Sequence, residues 1–302
     1  VVPAVIAPAV SPAVAEALAQ GRPVVALETT VATHGLPHPD GLATAEAMEA
    51  EVRGAGAVPA TVGILDGSLR IGLDAAELRR LAGAAPEKVN LGNLAAVLAS
   101  GGAGSTTVAA TLLAAHRAGI RVFATGGIGG VHRGESGDVS ADLPALARFP
   151  VAVVCAGAKA VLDLPRTVEA LETLGVPVYG WRTERFPAFD RRDSGLPVDR
   201  RFQDLPALAA AVRVHFALGL GGVLVANAIA SEHEVDAVQH ERALQEALAA
   251  ARSAGITGRA VTPFLLQQMR ERTGGATLNA NRALLLGNAR LAGELAVALA
   301  AP

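Results

Sequence analysis

Apolar and polar positions along this chain fall into two alternating registers. Short runs rich in β-branched residues read as strands: "PVVALETTV" (23–31), "IRVFATGG", "VAVVCAG", "VPVYGW" and "GGVLVANAI". Between them lie alanine-rich stretches with helical spacing: "GLATAEAMEAEVRGAG" (41–56), "GSTTVAATLLAAHRAG" opened by Ser105 and Thr106, and the long segments 235–254 and 276–300. "ATVGILDGSLRIGL" predicts a hairpin turning at Asp66-Gly67, because Asp-Gly supplies the positive φ angles of a tight turn. Strands alternating with helices imply a three-layer α/β/α sandwich around a mostly parallel, mixed sheet, the hairpin adding the antiparallel piece. No repeat or low-complexity linker divides residues 1–302, which predicts one domain. The polar, proline-bearing stretch 183–201 is the only long irregular segment, a lid or a subunit contact.

The register of the strands also predicts where a site forms. Ligands of open α/β sheets sit beyond the carboxyl ends of the strands. Glu28, the segment Thr125–Gly130, Lys159 and Asn227 each follow directly on an apolar strand, so the pattern gathers them on one rim.

Composition sharpens one of these positions. The chain has 26 Lys plus Arg, and only Lys88 and Lys159 are lysines, so 26 − 2 = 24 are arginines. Either residue serves surface charge, but only a lysine can lose its proton and attack carbon. Lys159 follows the apolar run "VAVVCAGA", where burial lowers an amine's pKa and frees the lone pair for Schiff-base chemistry; a second cation nearby, Lys88 or Arg133, pushes the same way. Glu28 ends an apolar strand, and desolvation raises such a carboxyl's pKa into the range of a general acid. His34 and His38 are four apart, but Gly35, Pro37 and Pro39 argue against a helical metal pair. Cys155 fills strand space. A single cysteine excludes internal disulfides and cysteine-based zinc sites.

Two motifs stay open on spacing alone. In "FATGGIGGVHRG" the glycines build either a tight turn or a cradle for an anion, with His132 and Arg133 downstream favouring the anion. A dinucleotide fingerprint counted from Gly127 needs glycine where His132 stands, and no Walker pattern occurs. In "ESGDVSADL" (135–143) Asp138, Ser140 and Asp142 alternate. They share one face if extended, as ligands for Mg²⁺ or Mn²⁺, or else they cap the helix "ADLPALARF". A net charge of −2 and the lack of basic runs interleaved with aromatics exclude a nucleic-acid footprint. No basic n-region precedes the proline-interrupted N-terminus, and no unbroken apolar run reaches a membrane span. The expectation is therefore a cytoplasmic protein with neither nucleic-acid nor membrane partners.

Taken in order, "ALETTVATHGLP", "GAVPATVGILDG", "GSTTVAATLLAAHRAGIRVFATGGIGGVHRG", "DVSADL", "VVCAGAKAVLDLPRTVEALETLGVPVYG", "FPAF", "VANAI", "TPFLL" and "RTGGATL" resemble the pseudouridine-5′-phosphate glycosidases, the family that includes the indigoidine-synthesis A-type proteins. The resemblance implies reversible cleavage of pseudouridine 5′-phosphate to uracil and ribose 5-phosphate, with Mn²⁺, in a homotrimer. It makes Lys159 the nucleophile, Glu28 the proton donor and Asp138 the manganese residue. Lys88, Val108, Ser140, Ala141 and Asp142 become substrate contacts, and Thr125, His132 and Asn288 further pocket positions. The alternatives are a Schiff-base aldolase or lyase acting on another sugar phosphate, and a non-catalytic sugar-phosphate binding protein.

Overall fold

A computed structural model of the chain describes residues 7–134, 137–256 and 261–301. Glu135 and Ser136, which open the alternating carboxylate motif, lie outside the described residues, as do residues 1–6 of the apolar N-terminus.

The described strands are β1 (Ala9–Val10), β2 (Val24–Glu28), β3 (Val58–Leu65), β4 (Ser68–Ile71), β5 (Glu87–Val89), β6 (Gly104–Thr106), β7 (Val122–Ala124), β8 (Ala152–Cys155), β9 (Val178–Trp181), β10 (Arg200–Phe202) and β11 (Val223–Asn227). The helices are α1 (Pro12–Ala19), α2 (Asp40–Gly54), α3 (Ala75–Gly83), α4 (Leu94–Ala99), α5 (Val108–Ala118), α6 (Asp142–Arg148), α7 (Leu164–Thr173), α8 (Leu205–Ala217), α9 (Ala237–Ser253), α10 (Val261–Arg272) and α11 (Ala276–Ala300). One sheet runs β1-β4-β3-β2-β7-β8-β11-β9-β10, with β6 pairing β3 and β5 beyond it. Among the described strands, only the β3–β4 and β3–β6 pairs are antiparallel. The expected sandwich with a mixed, mostly parallel sheet is therefore present.

Period-two alternation explains how the sheet carries a layer on each face. Val24 and Ala26 of β2, Phe123 of β7, Val153 and Cys155 of β8 and Leu224 of β11 join one buried cluster, with residues of α1, α5 and α6. Their immediate neighbours Val25, Leu27, Val122, Val154 and Val225 join the other, with Met48 and Val52 of α2, Leu208 of α8 and Leu284 to Ala296 of α11. By length and composition α11 matches a membrane span, but half of its most apolar window is buried inside the protein. Its packing on α2, β7 and β8 accounts for that apolarity.

The hairpin turns where the sequence predicts. Asp66 (φ 54°) and Gly67 (φ 67°) both take the left-handed conformation between β3 and β4. The start of α5 differs from expectation. Ser105 and Thr106 lie in β6, where Ser105 pairs with Gly63 and Lys88, and the helix begins at Val108. Thr106 Oγ1 donates to the Val62 carbonyl at 2.7 Å, so its β-branched side chain is spent on the sheet.

The segment 183–201 is irregular as expected up to Asp199, its last two residues opening β10, and its middle is packed against the site loops. Phe186 is fully buried, and the Phe189 amide donates to the Ala156 carbonyl at 2.9 Å. Gly157 makes this approach possible. It has φ 77°, and a Cβ there would lie 2.0 Å from the Pro187 carbonyl oxygen.

Gly157→Ala therefore adds a backbone clash to a left-handed strain of about 1–3 kcal/mol. Gly175, with φ 69° and nothing within 4 Å of its Cβ position, isolates the strain alone. Urea melts are expected to show a larger stability loss for Gly157→Ala than for Gly175→Ala; equal losses contradict the packing account.

Candidate active site

A cavity of about 460 Å³ opens at the carboxyl ends of β2, β7 and β8. Glu28 enters it from the end of β2, Thr30 from the residue that caps the following π-type turn Val31–Gly35, and His34 and Gly35 from that turn itself. Lys88, Asn90 and Asn93 come from β5 and the loop after it, and Thr107 and Val108 from the start of α5. Gly129, His132, Asp138, Ser140, Ala141 and Asp142 form a third wall, and Lys159 a fourth. Thr262, Pro263 and Leu266 of α10 complete the lining. A second cavity of about 340 Å³ adjoins this one and shares His34, Gly35, Pro263 and Leu266 with it.

Glu28 is 5 % exposed. Burial raises its pKa above the ordinary carboxylate value. The Lys159 charge and the hydroxyls of Thr125 and Thr30 pull against that rise without cancelling it. Both hydroxyls donate to the carboxylate, Thr125 to Oε1 and Thr30 to Oε2. Thr125 is in turn fixed from the opposite layer. Asn288 of α11 donates from Nδ2 to the Thr125 carbonyl at 2.8 Å, while its Oδ1 accepts from Asn227 Nδ2 at 2.9 Å. Thr125, Asn227 and Asn288 thus stand behind the cavity wall, in a relay that ends on Glu28.

Lys159 is held by its backbone. Its amide donates to the Ile128 carbonyl at 3.1 Å, and the Ile128 amide to the Gly157 carbonyl at 3.0 Å. Lys88 lies half-buried in the same cavity. Burial, and then the Lys159 charge, hold its pKa below the usual lysine value, with Glu28 and Asp142 opposing. Of the two cations that the sequence offers as neighbours of Lys159, Lys88 is the one that shares the cavity. Arg133 is exposed and does not line it. Cys155 is fully buried in the sheet, and burial pushes its thiol up to about 12, far from nucleophilic.

In the glycine-rich loop the tight-packing reading has direct structural support. Several of its amides are engaged within the protein: Ile128 to Gly157, Gly129 to Asp142 Oδ2 at 2.8 Å, Val131 to Thr167 Oγ1 at 3.0 Å, and His132 to the Asp138 carbonyl at 2.9 Å. The glycines permit close packing. A Cβ on Gly129 would lie 2.2 Å from Ser140 Oγ, and one on Gly130 2.4 Å from Thr167 Oγ1.

The alternating carboxylate motif is extended in its first part and helical in its last, and neither Ser140 nor Asp138 occupies the N-cap position of α6. Asp138 and Ser140 flank a bridge between Val131 and Val139, so that part is extended. Asp142 instead opens α6, where the capping position is Ala141 with no side-chain cap, and its amide donates to Ser140 Oγ at 3.2 Å. The Asp142 carboxylate is buried and accepts from the Ala109 amide of α5 (2.9 Å) and the Gly129 amide, joining α5 to the loop. Asp138 Oδ2 stands 3.9 Å from His132 Nε2.

Sequence reading missed Thr30, Asn90, Asn93, Thr107 and the α10 side chains. These reach the cavity through loop and helix geometry that no strand-end rule supplies. "TPFLL" was legible as a motif, but not as part of the cavity lining.

The arrangement provides a buried acid, a lysine beside it, a second lysine and several hydroxyl and amide groups in one cleft. Comparison with known proteins fits it. The family model described as indigoidine synthase A like protein matches residues 13–298. The pseudouridine-5′-phosphate glycosidase of Methylobacterium nodulans is 56 % identical over 96 % of this chain and 87 % of its own length. That of Rhodospirillum centenum is 57 % identical over 96 % and 92 %. Among solved structures, the prealnumycin C-glycosynthase AlnA, in complex with ribulose 5-phosphate, superimposes with a TM-score of 0.89 at 45 % identity, covering 96 % of both chains. An indigoidine synthase A-like protein from Thermotoga maritima gives 0.88 at 37 % identity, covering 93 % of this chain and 94 % of its own. The chain belongs to the indigoidine synthase A-like family, that of the pseudouridine-5′-phosphate glycosidases.

Proposed function

We propose that the protein reversibly cleaves the carbon–carbon glycosidic bond of pseudouridine 5′-phosphate, giving uracil and ribose 5-phosphate through an imine on Lys159. The observation that carries this reading is the placement of Glu28 and Lys159 in one cavity, with burial holding the Glu28 proton. Relatives more than half identical over nearly the whole chain carry that enzyme name.

The chemistry explains why both groups are needed. A C1′–C5 bond has no leaving oxygen for an acid to protonate, so the paired-carboxylate route of ordinary glycosidases does not apply. With the furanose opened, the Lys159 amine bonds to C1′. Glu28 then protonates C5 of the base. The C1′–C5 bond breaks as the nitrogen lone pair forms C1′=Nζ, and uracil leaves. Water hydrolyses the imine, returning the amine and releasing C1′ as the aldehyde of ribose 5-phosphate. Lys88, near the start of α5, is assigned to the phosphate, and Val108, Ser140, Ala141, Asp142 and His132 to the sugar-phosphate half of the substrate. Anchoring the phosphate positions the open-chain sugar.

The site suits Mn²⁺ only as an ion held largely by water and substrate. Among the described residues no group of three or more His, Cys, Asp or Glu side chains assembles, while Asp138 presents a partly exposed carboxylate to the cavity. Asp138 would hold the ion, which supplies positive charge to substrate oxygens.

A second reading is synthesis, the joining of a sugar phosphate to a carbon nucleophile. The likeness to a C-glycosynthase seen with ribulose 5-phosphate favours it. Purified protein with pseudouridine 5′-phosphate is expected to release uracil, read by ultraviolet absorbance, and to run backwards from uracil and ribose 5-phosphate. No release would leave an aldolase or a binding protein. Glu28→Gln should lower kcat about 10²–10⁴-fold with little change in substrate affinity; an equally fast variant removes Glu28 from the mechanism.

Glu28 also makes stability depend on pH. The folded state binds its proton more tightly than the unfolded chain does. That contribution is therefore complete below the ordinary value of 4.5 and is lost as pH rises through the folded pKa. Glu28→Gln is expected to melt above the wild type at about pH 8, the gap closing towards about pH 4. A gap that does not change with pH contradicts the buried-acid assignment.

A further inference from the structure

The mechanism above leaves the opening of the furanose without an agent, and His34 has no role in it. His34 lines the cavity that holds Glu28 and Lys159, and it also lines the adjoining one. It sits in a π-type turn, Val31–Gly35, that begins three residues after Glu28. Such turns depart from α-helical spacing and recur at functional sites. Gly41 keeps this turn in place: a Cβ on Gly41 would lie 2.6 Å from the Ala32 carbonyl oxygen.

The ring's orientation is fixed through one nitrogen. Nδ1 lies 2.7 Å from Thr33 Oγ1, which also contacts Ser105 Oγ at 2.9 Å and the Thr29 carbonyl at 3.2 Å. With the Thr33 proton given to one of those oxygens, Nδ1 carries its own hydrogen and donates it to Thr33. Nε2, left to the cavity, then holds a lone pair. Burial, and then the Lys88 charge, keep the imidazole's pKa below its ordinary value, which favours the neutral ring that a base requires.

Pseudouridine has a chemical feature that matches such a group. Its base is joined through C5, so N1 keeps a hydrogen and is conjugated through C6=C5 to C1′. Resting on the proposed function, we infer that His34 is the general base that takes this N1 proton and so opens the sugar ring.

The step balances. N1–H gives its proton to Nε2, N1=C6 and C5=C1′ form, and the C1′–O4′ bond breaks, with O4′ protonated by Glu28. The Lys159 amine adds to C1′, and the electrons return through C5=C6 to N1, which recovers its proton from His34. The resulting ammonium adduct returns a proton to Glu28, which then delivers it to C5 in the cleavage already described.

Two measurements test this. Wild-type protein is expected to leave N1-methylpseudouridine 5′-phosphate uncleaved, because that compound has no N1 proton; cleavage at a rate near that of pseudouridine 5′-phosphate overturns the assignment. His34→Gln is expected to lose at least about 100-fold in uracil release while still forming the borohydride-reducible adduct with ribose 5-phosphate, a step that involves no N1 proton. Release within a few fold of wild type overturns the proposal. Parallel loss of adduct and release also overturns it, since that marks a merely structural residue. If the wild type forms the adduct but never releases uracil, the pseudouridine reading itself fails and this inference falls with it.

Discussion

A carboxyl group taken out of water beside a lysine is the constraint around which this fold is arranged. Burial favours the protonated acid, while the lysine charge and two hydroxyl donors favour the carboxylate; at Glu28 burial wins. A group balanced in this way keeps a transferable proton, provided its neighbours stay fixed to within a fraction of an ångström. The structure fixes them from both layers. Thr30 comes from the turn after β2, and Thr125 from the loop after β7. The Thr125 carbonyl is braced by Asn288 on α11, and Asn288 by Asn227 at the end of β11. One sheet face therefore supplies the acid's burial, and the opposite layer supplies its alignment.

The same logic accounts for the glycine-rich loop. Glycines near a sugar-phosphate site invite an anion-cradle reading, and here they allow Ser140, Thr167 and Phe189 to press against the loop where a Cβ would collide. The loop is thereby pinned between α6, α7 and the irregular segment after β9. Its Ile128 in turn pins the backbone of Lys159. Asp142 contributes to the cavity wall and to this scaffold together, since both carboxylate oxygens accept amides from separate elements.

Strand register made much of this legible. The apolar runs ending in Glu28, Thr125 and Lys159 are adjacent parallel strands or their exits, so the strand-end rule converted sequence order into a shared rim. Lysine scarcity marked Lys159 and left Lys88 as its partner in charge. Spacing could not resolve positions that depend on three-dimensional approach. Ser105 and Thr106 read as a helix start because their pairing with β3 and β5 is non-local. Asn288 read as a pocket residue, but it lies buried in α11 with its amide turned to the Thr125 and Gly126 carbonyls. The α10 contribution was hidden because a helix far along the chain reaches the cavity only through packing.

The central claim is that Lys159 forms a covalent bond to the sugar carbon. Borohydride reduction in the presence of ribose 5-phosphate, followed by peptide mass mapping, tests it most directly. The account predicts a stable mass increase on the peptide that carries Lys159, absent from Lys159→Ala. An unmodified wild type, or an adduct that persists in the variant or maps to Lys88, would contradict it.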